Sequence, residues 1–120
     1  MPVVSSLAEF DKAVALKMSE QQLLDAVVDL AHFYGWKVAH FRPAMTAKGW
    51  RTPVSADGKG FPDLVLVKGR VIFVELKSQK GKVTEEQYLW GQALVKSRQE
   101  YYFFRPSDWM DGTIKALLEL

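Results

Sequence analysis

The strongest constraint in this chain is a pair of apolar runs around one tight turn, residues 58–82, GKGFPDLVLVKGRVIFVELKSQKGK. LVLV and VIFVEL are rich in β-branched and aliphatic residues. They are separated by Lys68-Gly69-Arg70, so the spacing predicts a β-hairpin over 63–67 and 71–77. Side chains alternate along a strand. Ile72, Val74 and Leu76 therefore share one face and can pack under a helix, while Glu75 and Lys77 share the other. An isolated acid and base on such a face can be no more than an exposed ion pair contributing about 0–1 kcal/mol. Asp63, at the head of the first run, gives the pair a second meaning. If Val67 faces Val71 across a three-residue turn, Asp63 falls opposite Glu75. A two-residue turn sets Asp63 against Val74 instead and turns it to the other face.

The hairpin sits in a recognisable order of elements. Residues 1–18 are weakly amphipathic and read as an N-terminal arm or short helix. From 19 onward the chain reads as one domain, 19–120. Ser19 and Gln22 form a capping box ahead of Leu23, Leu24, Val27, Leu30, Ala31 and Tyr34 at helical spacing, with Gly35 at the C-terminal end. Glu20 lies on the apolar stripe in the first turn, where an acid is also favoured by the helix dipole. Residues 36–42 alternate as a strand. Residues 43–62 form a loop rich in Gly, Pro and positive charge, of a length that in a compact domain is usually functional or disordered. After the hairpin, Thr84 and Gln87 form a second capping box for a helix running to about Lys96. A strand over 100–105 follows, then Pro106, and then a last helix that Ser107 can cap. The order is helix, three strands, helix, strand, helix. This makes an α/β fold: an antiparallel three-strand meander, and a fourth strand that returns through a helix and so pairs in parallel. The expected result is a mixed sheet flanked by helices.

Composition narrows the class. The 120 residues carry a formal net charge of +2 and no cysteine, so disulfides and thiolate metal sites are excluded. No apolar run reaches the length of a membrane span, and the N-terminus lacks the layout of a signal peptide. The expectation is a cytoplasmic protein without a membrane partner. Arg42, Lys48, Arg51, Lys59, Lys80 and Lys82 flank the hairpin. They can make sequence-independent phosphate contacts, or they can be solvated loop charges. His40 shares a strand face with Arg42 and can touch a substrate or pack. Two carboxylates meeting on one face need a cation beside them. Lys77 supplies one charge, and a hard divalent ion, which takes one or two carboxylates and completes its shell with water and phosphate oxygens, can supply the rest.

These residues resemble a known family. P-D at 62–63 followed by E-L-K at 75–77 is similar to the PD-(D/E)xK nuclease motif. The wider context resembles the VRR-NUC family. That context is Ser19-Glu20 opening a helix, GFPDL at 60–64, VELK at 74–77, Gln87 starting the next helix and RPSDW at 105–109. The resemblance implies a restriction-endonuclease-like core over residues 19–120. It implies that Asp63, Glu75, the backbone carbonyl of Leu76 and the first-helix acid Glu20 hold Mg²⁺ or Mn²⁺. It implies that Lys77 is the catalytic lysine and that Gln87 stands at the edge of the site, a role that competes with its capping one. It further implies an endonuclease hydrolysing DNA, with branched DNA such as four-way (Holliday) junctions as the favoured substrate. A homodimer in a bacterial or phage-infected cell is the expected form. Flaps, plain duplex or a non-catalytic DNA-binding role are the alternatives.

Overall fold

The computed structural model describes residues 7–41, 44–47, 49–51 and 54–120. Eleven elements follow one another along the described chain: α1 (Leu7–Leu16), α2 (Glu20–Phe33), β1 (Lys37–His40), β2 (Ala44–Thr46), β3 (Gly49–Arg51), β4 (Leu64–Val67), β5 (Val71–Leu76), α3 (Glu85–Lys96), β6 (Glu100–Phe104), α4 (Pro106–Met110) and α5 (Thr113–Leu118). The main sheet has the order β1-β4-β5-β6. The first three strands pair antiparallel, and β6 joins β5 in parallel. This is the mixed sheet that the meander and the α3 crossover predict.

Alternation decides what each face of the sheet does. Leu64 and Leu66 of β4, with Ile72, Val74 and Leu76 of β5, are essentially inaccessible. They form one core with Leu23, Leu24, Val27 and Ala31 of α2 and with Ile114 and Leu118 of α5. Each Leu, Ile or Val among them contributes about 1.5–3 kcal/mol when fully buried. Trp36 closes this core, and its indole Nε1–H donates to the Leu118 carbonyl at 2.8 Å. The opposite face is aromatic. Phe61 meets the rings of Phe41, Phe73 and Trp90 edge-on at 5.4, 6.1 and 5.0 Å between centroids. Trp90 belongs to α3, so this helix covers the second face of the sheet.

Both capping boxes form. Ser19 accepts from the Gln22 N–H and Thr84 from the Gln87 N–H, and each glutamine side chain accepts from the cap's own backbone N–H. Gly35 has a φ of +86° directly after the α2 cap Tyr34, where glycine avoids the Cβ clash of the left-handed conformation. The first eighteen residues contain α1, which lies against α4.

Two expectations need correction. The long 43–62 segment is not wholly loop, because β2 and β3 pair within it as a small antiparallel ribbon. The last helix is two helices. Arg105, not Ser107, is the N-cap of α4, and Pro106 occupies the first turn, where its missing N–H costs nothing. Gly112, at φ +84°, then breaks the chain before α5, and the Asp111 carboxylate accepts from the Thr113 N–H at 2.9 Å. Among the described residues no helix is long and apolar enough to cross a membrane.

Candidate active site

The hairpin adopts the odd-turn register. Val67 pairs with Val71 and Leu64 with Val74, so the next position sets Asp63 across from Glu75. The turn is closed by the Lys68 N–H donating to the Arg70 carbonyl at 3.0 Å, with Gly69 at φ +67°. The Asp63 Oδ2 accepts from the Leu76 N–H at 2.9 Å, which ties the first strand's acid to the backbone between Glu75 and Lys77. Leu76 thus stands beside the acids through its backbone while its side chain fills the core.

Glu75 is not the exposed face residue that alternation alone permits. It is 1% accessible, the one buried charged side chain among the described residues. Gln87 at the start of α3 reaches down to it, with Nε2 donating to Glu75 Oε1 at 3.2 Å. Gln87 therefore fills both of its expected roles with one side chain. Its oxygen completes the α3 capping box, and this fixes which way the amide nitrogen points. Lys77 is only 16% exposed in its side chain, and its Nζ lies 3.7 Å from Glu20 Oε1. Glu20 is half-exposed at 49%. The site thus spans the end of the sheet: Glu20 comes from the α2 side, Gln87 from the α3 side, and Asp63, Glu75 and Lys77 from the strands between.

The electrostatics follow from this crowding. Burial pushes the Glu75 carboxyl up to about 9, and the Asp63 charge and the hydrogen bond between the two carboxyls add to the effect; Lys77 acts the other way. Glu20 is also raised, first by burial and further by Asp63, with Lys77 opposing. At neutral pH Glu75 therefore keeps a proton where a cation could stand. Among the described residues no three Asp, Glu, His or Cys side chains converge as a ready-made metal cage. The set is two carboxylates in contact and a third held towards Lys77. That hard-oxygen pair fits a Mg²⁺-like ion, which needs only one or two carboxylates from the protein.

The loop before Asp63 is anchored on α3. The Trp90 Nε1–H donates to the Asp57 carbonyl at 2.9 Å. Gly60, at φ +85°, lies so close to α3 that a Cβ there would stand 2.6 Å from the Glu86 backbone carbon and 2.8 Å from the Gln87 nitrogen. Gly60→Ala is therefore expected to destabilise the fold by about 2–4 kcal/mol, from left-handed strain and from displacement of the Gln87 end of α3. Thermal unfolding checks this; a loss below about 0.5 kcal/mol would mean that the loop yields freely.

The basic residues are more dispersed. Arg42 and Lys48 lie outside the described residues, and Arg51 is described only as backbone in β3. Lys59 is paired with Glu86 at 3.4 Å, while Lys80 and Lys82 are exposed on the turn after Lys77. His40 pairs with Leu64 and so lies on the α2 side, where it lines a shallow hollow with Asp25, Asp29 and His32, away from the Glu75 face. A neighbour absent from the sequence reading is Tyr101. It shares the Glu75 face and is pushed up to about 12 by burial and then by the charges of Glu75 and Asp63. The parallel register is its signal, since pairing 101 with 73 sets it beside the hairpin's acid face. The cavity of about 670 Å³ between α3 and β6 is lined by Thr84 and Tyr101 but by none of Asp63, Glu75 and Lys77.

A family model of the VRR-NUC domain matches residues 12–106, most of the chain. No curated protein and no solved structure gives a match.

Proposed function

From the premise that the chain belongs to the VRR-NUC family of PD-(D/E)xK nuclease-like domains, we propose that it is a divalent-metal-dependent DNA endonuclease. The observation that carries this reading is the convergence of Asp63, Glu75, Lys77 and Gln87 at one end of the sheet, with Glu20 facing Lys77. Asp63 and Glu75, with Glu20 and the Leu76 carbonyl as further oxygens, are the residues that would hold Mg²⁺ or Mn²⁺. When bound, such an ion lowers the pKa of its water and offsets charge on the phosphate.

The protein's own groups have separate tasks. Asp63 is held by the Leu76 N–H and shares a proton with Glu75, so it would turn to the ion once that proton leaves. Glu75 must give up its proton when the site is loaded, and Gln87 then keeps one of its oxygens oriented. Water would attack phosphorus in line with the 3′ oxygen, losing a proton to solvent; the P–O3′ bond breaks, the leaving 3′ oxygen takes a proton from solvent, and 5′-phosphate and 3′-hydroxyl ends result. The Lys77 ammonium faces the non-bridging oxygens and stabilises the charge that grows there. The basic residues around the hairpin supply phosphate contacts that position the backbone without reading sequence.

The favoured substrate is branched DNA, cut by a homodimer. A single site cuts one strand at a time, and a twofold pair of sites matches the symmetry of a four-way junction. Incubation with labelled four-way junction, flap and linear duplex, in Mg²⁺, in Mn²⁺ and in EDTA, tests each layer. The expected result is metal-dependent cutting with the junction preferred by at least about tenfold. Cutting that persists in EDTA would overturn the metal; equal cutting of all three substrates would overturn the branch preference; no cutting would overturn the enzyme.

A further inference from the structure

The turn that follows Lys77 is held by one distant side chain. Residues 78–82 leave β5 and lead to Thr84, the cap of α3, so they connect Lys77 to Gln87. Within this turn the Gly81 N–H donates to the Ser78 carbonyl at 3.1 Å, and Gly81 has no room to spare, since a Cβ there would lie 2.9 Å from Ser78 Oγ. Three carbonyls of the turn point at the same atom: Arg105 Nη1 donates to Ser78, Gln79 and Gly81 oxygens at 2.7, 3.1 and 2.9 Å. The turn also reaches back, because Gln79 Oε1 accepts from the Ser107 N–H at 3.0 Å.

Arg105 is itself fixed. Its backbone N–H donates to Asp108 Oδ2 at 2.8 Å, and its guanidinium lies 5.0 Å from the Phe103 ring centroid. One residue earlier, the Phe104 carbonyl accepts from the Lys77 N–H at 3.1 Å. The β6–α4 junction thus grips the chain at Lys77 and again at three points just beyond it. A charged donor shared by three carbonyls is a strong clamp, and the two protons on Nη1 are occupied by it.

We propose that Arg105 is a positioning residue of the nuclease centre: by clamping the 78–81 turn it fixes the spacing between Lys77 and the Thr84–Gln87 cap, and so the approach of Gln87 to Glu75. This rests on the nuclease reading above. It assigns the RPSDW run a structural task at the site, in contrast to a direct phosphate contact by Arg105.

The test compares wild type with Arg105→Ala, Arg105→Lys and Gln79→Ala by three readouts. Trypsin nicking after Lys80 and Lys82 in the folded protein reads the clamp. The amide resonances of Leu76 and of the Gln87 side chain read the site geometry without any need for activity. Single-turnover cleavage with kcat and KM separated reads the consequence. Arg105→Ala is expected to be nicked on the order of tenfold faster, to shift both amide signals, and to lose about 10–100-fold in kcat with KM within about twofold. Arg105→Lys and Gln79→Ala are expected to fall between, with kcat following protection of the turn. A rise in KM with kcat intact would make Arg105 a DNA contact and overturn the proposal. Unchanged nicking and amide signals would also overturn it, and Arg105→Lys, which removes the Nη1 donor, supplies that result if Arg105→Ala does not fold. If wild type cuts no DNA, the nuclease reading fails by itself, while nicking and resonances still decide whether Arg105 sets the geometry.

Discussion

Lys77→Ala is expected to lower strand cleavage on the order of 10³-fold while DNA affinity stays within about threefold. Among the described residues Lys77 is the one cation within ion-pairing distance of the Glu20–Asp63–Glu75 group, and it is mostly shielded from water. A charge in that setting acts more strongly on a nearby phosphate than a surface lysine does. Affinity is carried instead by contacts spread over many phosphates, of which this is at most one. The stability effect is expected to be small, within about 1 kcal/mol, because the Glu20 partner is half-exposed. Single-turnover cleavage, fluorescence anisotropy with labelled DNA in EDTA, and a thermal melt measure the three quantities. A rate within tenfold of wild type would remove Lys77 from the chemistry; a parallel loss of binding would recast it as a DNA contact.

The hairpin was legible because register and chemistry constrain each other there. An odd turn brings Asp63 to Glu75, and that is the turn the chain makes. The capping boxes were legible because they are local, each closing within three residues. What the sequence hid depends on partners distant along the chain. Alternation set Glu75 on the face opposite the aliphatic core, but it cannot say whether that face is covered. α3 covers it through Trp90 and Gln87, with Phe61 of the preceding loop packed on Trp90, and the acid is buried. The β2–β3 ribbon has strands of three residues, too short to show a period. The break at Gly112 needs a positive φ that one glycine among others does not announce. Arg105 reads only as the end of a strand and the start of the RPSDW run until its three carbonyl partners, more than twenty residues upstream, are seen. Glu20 reads as one of the acid set, yet it faces Lys77 and would have to exchange that partner to reach an ion.

Glu75→Gln is expected to separate stability from activity, with opposite signs. In the metal-free protein Glu75 is held up to about 9 from an ordinary 4.5, chiefly by burial and then by Asp63. A carboxyl raised in this way binds its proton more tightly folded than unfolded. Its contribution is full below the unfolded value of 4.5, is lost as pH rises between the two values, and is exhausted above the folded value of about 9. Within that window the wild type should lose stability with a slope of at most about 1.4 kcal/mol per pH unit. Glutamine has nearly the same shape and no proton to lose, and its amide can still meet Asp63 and Gln87. The variant should therefore match wild type near pH 5 and become increasingly the more stable of the two as pH rises towards 9, when both are melted in EDTA. Adding Mg²⁺ or Mn²⁺ at pH 8 should raise the wild-type melting temperature and leave the variant's nearly unchanged, because a neutral amide is a poor partner for a hard cation. Cleavage by the variant should fall on the order of 10³-fold. Parallel pH–stability curves for the two proteins would show that Glu75 does not hold its proton in this window. An equal metal-induced rise in both would remove Glu75 from the ion's ligands even if cleavage were lost.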